Sequence, residues 1–128
     1  MGRYQVLVDS SVWIEYFRNG TPDKLDQLIS EDLVCTNEII LSELVPSLKK
    51  LDSQEIVESL ESLERIPLQI DWDIIREYQY RNLKNGINKV GLPDLLILQQ
   101  IVDQKLILFT FDKHFKLMQA HFHFDLME

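Results

Sequence analysis

The sequence predicts an α/β protein: a three-layer α/β/α sandwich with a mostly parallel central sheet. Three observations carry this expectation. Short apolar runs, among them "VLV", "LVCT" and "LILFTF", read as buried strands. Between them lie stretches with helical spacing of apolar residues, the alternation expected of parallel βαβ units. The chain has 128 residues, 45% of them apolar, which suits one domain over residues 1–128 with a single core.

Taken in order, Tyr4 to Val8 reads as the first strand, and Ser10 to Arg18 as a helix with Val12, Trp13, Tyr16 and Phe17 on its apolar side. "NGTPDK" breaks the chain and starts a second helix, with Thr21 as N-cap and Pro22 at the first helical position. Leu33 to Thr36 is a second strand. Asn37 to Lys50 is a helix with Ile40, Leu41, Leu44, Val45 and Leu48 inward, and Pro46 inside it should bend it. Asp52 or Ser53 caps a further helix with Ile56, Val57, Leu60 and Leu63 inward and Glu55, Glu58, Glu61 and Glu64 outward. Ile66 to Ile70 is a third strand, placed at an edge by Pro67. Asp71 to Asn85 is helical and stops at Gly86. Pro93 opens a helix reaching about Gln104. Leu106 to Phe111 is the clearest strand, Asp112 to Gln119 a short helix, and Phe122 to Leu126 a last strand.

Composition narrows the function. No apolar run approaches the roughly 18 residues of a membrane span. Met1 to Gln5 lack the pattern of a signal peptide. The single cysteine, Cys35, excludes an internal disulfide, so a cytoplasmic protein is expected. The formal net charge is −8, which on its face argues against nucleic acid as a partner. A cluster of acids around a cation would reverse the local field, however, and leave a polyanionic substrate open.

The carboxylates suggest such a cluster. Asp9 directly follows the first strand and Asp112 follows "LILFTF". Ligands of parallel sheets bind outside the carboxyl ends of the strands, so neighbouring strands here would bring these two acids together. Asp94 sits at a helix start behind Pro93. Glu43 lies mid-helix between apolar residues, where a charge is rare unless paired or metal-bound. Singly, the three aspartates have structural explanations as caps or helix-dipole charges, and Glu43 as a boundary residue reaching solvent. Jointly they would repel each other, and a divalent cation relieves that. Hard Mg²⁺ or Mn²⁺, as one or two ions, suits oxygen donors and activates water for phosphodiester cleavage.

The stretches "VDSSVWI", "LSEL", "LPDLLI" and "TFDKHF", in this order and spacing, resemble the PIN-domain ribonucleases, and within them the VapC-like toxins of bacterial toxin–antitoxin pairs. The resemblance covers essentially the whole chain. It implies an acidic quartet at Asp9, Glu43, Asp94 and Asp112 that binds Mg²⁺ or Mn²⁺ and cleaves RNA. It places the supporting hydroxyls at Ser10 or Ser11 and at Thr110, holding carboxylates by hydrogen bonds. It also implies neutralisation by an antitoxin protein and a homodimer. Two departures are visible. Many relatives carry a further Asp where this chain has His114, and small residues where it has Leu98, Gln99 and Gln100.

Other residues carry weaker signals. "RNLKNGINK" is the most basic stretch, and Arg81, Lys84 and Lys89, with Arg18, Lys113 and His114, are candidate contacts to RNA phosphates. A solvated helix end explains the stretch equally. His121 and His123 lack further ligands for zinc, and Cys35 reads as a small buried residue. Trp13, Tyr16 and Phe17, with the Pro46-containing helix, are expected to line an apolar groove; the resemblance implies that an antitoxin tail docks there, with an arginine reaching the acids. Two alternatives remain: a catalytically inactive module of the same fold, and a receiver-like phosphoacceptor domain. Against the second, Asp9 is followed by serine rather than a second acid, and Cys35-Thr36 offers no phosphoacceptor.

Overall fold

The structure is a computed structural model that describes residues 5–127. The predicted first strand began at Tyr4, which lies outside the described residues. Its apolar part forms β1, Val6–Val8, with all three side chains fully buried. The other strands are β2, Val34–Thr36, β3, Glu64–Arg65, β4, Ile107–Phe109, and β5, Asp125–Leu126. They form one parallel sheet in the order β3-β2-β1-β4-β5. The middle strands have the continuous apolar runs of a sheet covered on both faces.

Among the described residues seven helices cover the sheet: α1, Ser10–Asn19, α2, Asp23–Ser30, α3, Glu38–Lys50, α4, Gln54–Glu61, α5, Trp72–Lys84, α6, Leu92–Gln104, and α7, Lys113–Met118. Right-handed crossovers put α1 to α4 on one face and α5 to α7 on the other. The packing agrees, since α3 meets α1 and α4, and α5 meets α6. The expected three-layer α/β/α sandwich is therefore what forms. Among the described residues no helix is long and apolar enough to cross a membrane.

Two differences from expectation have a clear physical reason. The second helix begins at Asp23, with Pro22 rather than Thr21 in the N-cap position behind a cis Thr21–Pro22 peptide. The Thr21 hydroxyl donates to Glu15 (3.0 Å) and so is not available as a cap. The third strand is Glu64–Arg65, at the sheet edge, and not Ile66–Ile70; Glu64 belongs to it and not to the outer face of α4. Residues 66–71 instead bond to side chains of α6. Gln100 donates to the Ile66 and Pro67 carbonyls, and Gln99 donates to Gln69 O and accepts from Asp71 N. With its polar backbone groups satisfied in that way, the segment does not need a ladder. The helix end at Gly86 is as expected. Gly86 (φ +79°) follows the C-cap Asn85, Ile87 N donates to Asn82 O (2.8 Å), and Gly86 N to Leu83 O (3.2 Å), a Schellman motif.

The strand order positions the site. From β1 the chain moves outward through β2 and β3, then returns across the sheet to β4 on the other side of β1. The order reverses between β1 and β4, and a crevice opens outside the carboxyl ends of such a pair.

Candidate active site

Asp9 leaves β1 at that reversal. Its backbone continues the ladder, with its N–H donating to Phe109 O (2.9 Å). It then takes the N-cap position of α1, but its side chain makes no cap bond. The carboxylate turns across the sheet end instead, where one oxygen accepts from Thr110 Oγ1 (2.7 Å) and from Ser11 Oγ (3.0 Å). Asp9 is only 6% exposed, and a buried carboxylate is costly without such donors. The two hydroxyls are themselves held, since Thr110 Oγ1 accepts from Asp112 N and Ser11 Oγ from Phe111 N, both at 3.0 Å. The ends of β1 and β4 are thereby locked together around one carboxylate.

Asp112 caps α7. Its Oδ1 accepts from His114 N and contacts His114 Nδ1, each at 2.9 Å. Glu43 stands on α3, where its Oε1 accepts from Ser10 Oγ (3.2 Å). Glu43 is exposed overall, yet partial burial of its carboxyl raises its pKa; the Ser10 bond opposes this rise and the Asp9 charge adds to it.

Asp94 lies in the first turn of α6, with Pro93 just before it. Helix geometry alone would lower its pKa. The opposite is found: burial pushes the carboxyl from 3.8 up to about 6, helped by Asp112, Asp9 and Glu43 and opposed by His114. That rise is on the order of 2–3 kcal/mol, against about 0.3–1 kcal/mol for the dipole, so burial and like charges prevail. The four acids, carried by four different segments of the chain, thus lie near enough for Asp94 to feel the other three, and Glu43 to feel Asp9.

The donor set is all carboxylate oxygen with hydroxyl support, the chemistry that a hard divalent cation fits. Relief of the repulsion registered at Asp94 is what such a cation would supply. Among the described residues no three acidic, histidine or cysteine side chains converge closely enough to hold an ion as they stand. Part of the carboxylate capacity is taken up by Ser10, Ser11, Thr110 and His114.

The basic candidates are not gathered with the acids to the same degree. Lys113 and His114 flank Asp112 at the start of α7, and exposed Lys89 precedes the turn into α6. Arg18 and Lys84 are exposed in the last turns of α1 and α5. Arg81 is committed elsewhere: its guanidinium lies over Phe122 (4.8 Å) and Tyr78 (5.7 Å) and donates to His121 O. Cys35 is fully buried, and burial pushes its thiol up to about 12, with Glu64 adding to the rise. It is no nucleophile.

The expected aromatic groove exists, with a different wall. Trp13, Tyr16 and Phe17 line a cavity of about 800 Å³ with Ile29 of α2, Ile56 of α4 and Leu63 just after α4. The Pro46-containing helix α3 does not line it. The amphipathic pattern of α4 was visible in the sequence, but its inward residues were assigned to the core alone. Trp13 stacks on Phe17 (5.6 Å) and meets Tyr16 edge-on (6.0 Å). The Tyr16 hydroxyl donates to Asp26. Trp13 is 3% exposed, and among the described residues its Nε1–H has no acceptor.

Comparison with known proteins agrees with this architecture. The model of the PIN domain matches residues 6–120, and the chain belongs to that family. No curated protein matches it. Its fold is similar to that of a DNA-bound VapBC from Salmonella typhimurium, with 16% identity, 97% of each chain covered and a TM-score of 0.78. It is similar also to VapBC-5, of the VapBC family of toxin–antitoxin systems, from Mycobacterium tuberculosis (21%, 98% of each chain, 0.69). A third likeness is VapC20 from Mycobacterium tuberculosis, a sarcin-ricin loop cleaving toxin (13%, 93% of this chain and 97% of that one, 0.61).

Proposed function

We propose that this protein is a Mg²⁺- or Mn²⁺-dependent endoribonuclease and the toxin of a type II toxin–antitoxin pair, acting in the cytoplasm. The observation that carries this reading is the acidic cleft. Asp9, Glu43, Asp94 and Asp112 lie toward the sheet's reversal point, and Asp94's proton affinity is raised by burial and then by the charges of the other three. Asp9, Asp94 and Asp112 would hold one or two cations directly or through water, with Glu43 as a further ligand or as the group that orients the attacking water. A bound cation supplies water activation and charge stabilisation at the leaving oxygen. The protein's own part is to fix those carboxylates. Ser11 and Thr110 hold Asp9 toward the cleft, Ser10 holds Glu43, and His114 holds Asp112. Lys89, Lys113 and His114 stand near enough in the chain to meet RNA phosphates, with Arg18 and Lys84 farther out; Arg81 is the weakest of these candidates because of its ring contacts. The likeness to a toxin that cleaves an RNA loop supports RNA as substrate.

The antitoxin would lie in the aromatic groove of α1, α2 and α4, its apolar side on Tyr16, Phe17 and Ile29. The likeness to VapBC complexes supports this partner. A homodimer would use the exposed Trp72, Tyr80 and Leu83 on α5. The test is RNA cleavage by purified protein with Mn²⁺, with EDTA, and in the Asp94→Asn variant. Cleavage should require the ion and fall at least a hundredfold in the variant, whose circular dichroism should match wild type. Equal cleavage by the variant, or no cleavage by wild type with any divalent ion, would overturn the reading, the latter in favour of an inactive module.

A further inference from the structure

Two buried amides join the helices that carry two of the acids. Asn37 is fully buried and caps α3, its Oδ1 accepting from Ile40 N (2.9 Å). Its Nδ2 donates to Gln100 Oε1 (2.7 Å) in the middle of α6. Gln100, 4% exposed, gives its own Nε2 to the carbonyls of Ile66 (3.1 Å) and Pro67 (3.2 Å). Each amide end faces groups of a single polarity, so the chain of donors runs one way and neither side chain can flip without losing partners.

This link exceeds what either element needs. A cap requires only an acceptor, which serine supplies as well. At position 100 the core needs only a side chain of that length, and the carbonyls of Ile66 and Pro67 need only the amide nitrogen, so the bond from Asn37 to the amide oxygen serves neither. The placement gives the surplus a use. Glu43 lies six residues after Asn37 on α3, and Asp94 six residues before Gln100 on α6. At 1.5 Å per residue each acid is about 9 Å along its helix from the link. Those two helices belong to opposite faces of the sheet, and neither α3 nor α6 is held to the other by the hydroxyl bonds around Asp9.

We propose that Asn37 and Gln100 are positioning residues for the acidic cleft: their hydrogen bond sets the spacing of α3 and α6 so that Glu43 and Asp94 serve the same bound cation. This rests on the nuclease reading above. Two variants separate the link from its simpler duties. Asn37→Ser keeps a cap and cuts the link alone, and so carries the test; Gln100→Met keeps the volume and cuts it from the other side, together with the bonds to Ile66 and Pro67. Both are compared with wild type, after confirming the fold by circular dichroism, for Mn²⁺ affinity, for kcat and KM on RNA, and for the distance between nitroxides at exposed Ser47 and Leu92. The expected result is about tenfold weaker Mn²⁺ binding, the size seen when partners of metal ligands are removed. A fall in kcat with KM nearly unchanged and a broadened nitroxide distance should accompany it. Folded variants with wild-type Mn²⁺ affinity, or with an unchanged distance, would overturn the proposal and reduce the pair to a structural contact. Should wild type itself bind no Mn²⁺, the nuclease reading fails, and the nitroxide distance alone decides whether the link sets the spacing.

Discussion

Thr110 serves two elements with one oxygen, donating to Asp9 and accepting from Asp112 N. Thr110→Val keeps the shape and removes both bonds, leaving a buried carboxylate with one donor fewer. Metal affinity measured by titration is expected to fall about 10- to 100-fold, and Thr110→Ser should restore most of it. Asp94 gives a second prediction, with a sign opposite to that of most carboxylates. Its folded pKa of about 6 lies above the unfolded value, so the folded state binds its proton more tightly. The stability this contributes is complete below about pH 4 and is lost as pH rises through about 6. Without metal, Asp94→Asn is therefore expected to raise the melting temperature at pH 7.5 and to narrow the gap between pH 5 and pH 7.5. A melting temperature below wild type at pH 7.5 would contradict it. The sequence showed which acids to suspect, because strand ends and helix starts are local features. It did not show that Asp9 declines its capping bond, since that depends on a hydroxyl about a hundred residues away.

At the level of elements, the legible features were those whose cause is local. Gly86 was placed correctly because a left-handed residue after a helix calls for glycine. A Cβ there would meet nothing within 4 Å, so the cost of Gly86→Ala is conformational alone. We expect a loss of about 1–2 kcal/mol by urea denaturation, with unchanged cleavage. The segment 66–70 was misread because its strand-like pattern is satisfied by Gln99 and Gln100, residues that sequence order puts thirty positions away. The groove wall was misassigned for a related reason. An apolar stripe on α4 shows that a face is covered, and only the packing of α1 and α2 beside it shows that part of the face stays open.

For the molecule as a whole, the net charge of −8 is not spread evenly, because several of those charges lie close enough together to raise the proton affinity of buried Asp94. The same concentration makes the cleft attractive to a partner's cation. If an antitoxin arginine enters it, adding antitoxin should weaken Mn²⁺ binding in a titration; an unchanged isotherm would exclude that contact. The reversal of strand order has a further consequence, in time. Asp9 emerges from the ribosome early and Asp112 roughly 100 residues later, and β4, which must settle against β1, also comes late. At about 5–20 residues per second, that interval is on the order of 5–20 s. For that interval a chain under synthesis carries the first acid without the last, and the site is complete only once β4 has settled against β1.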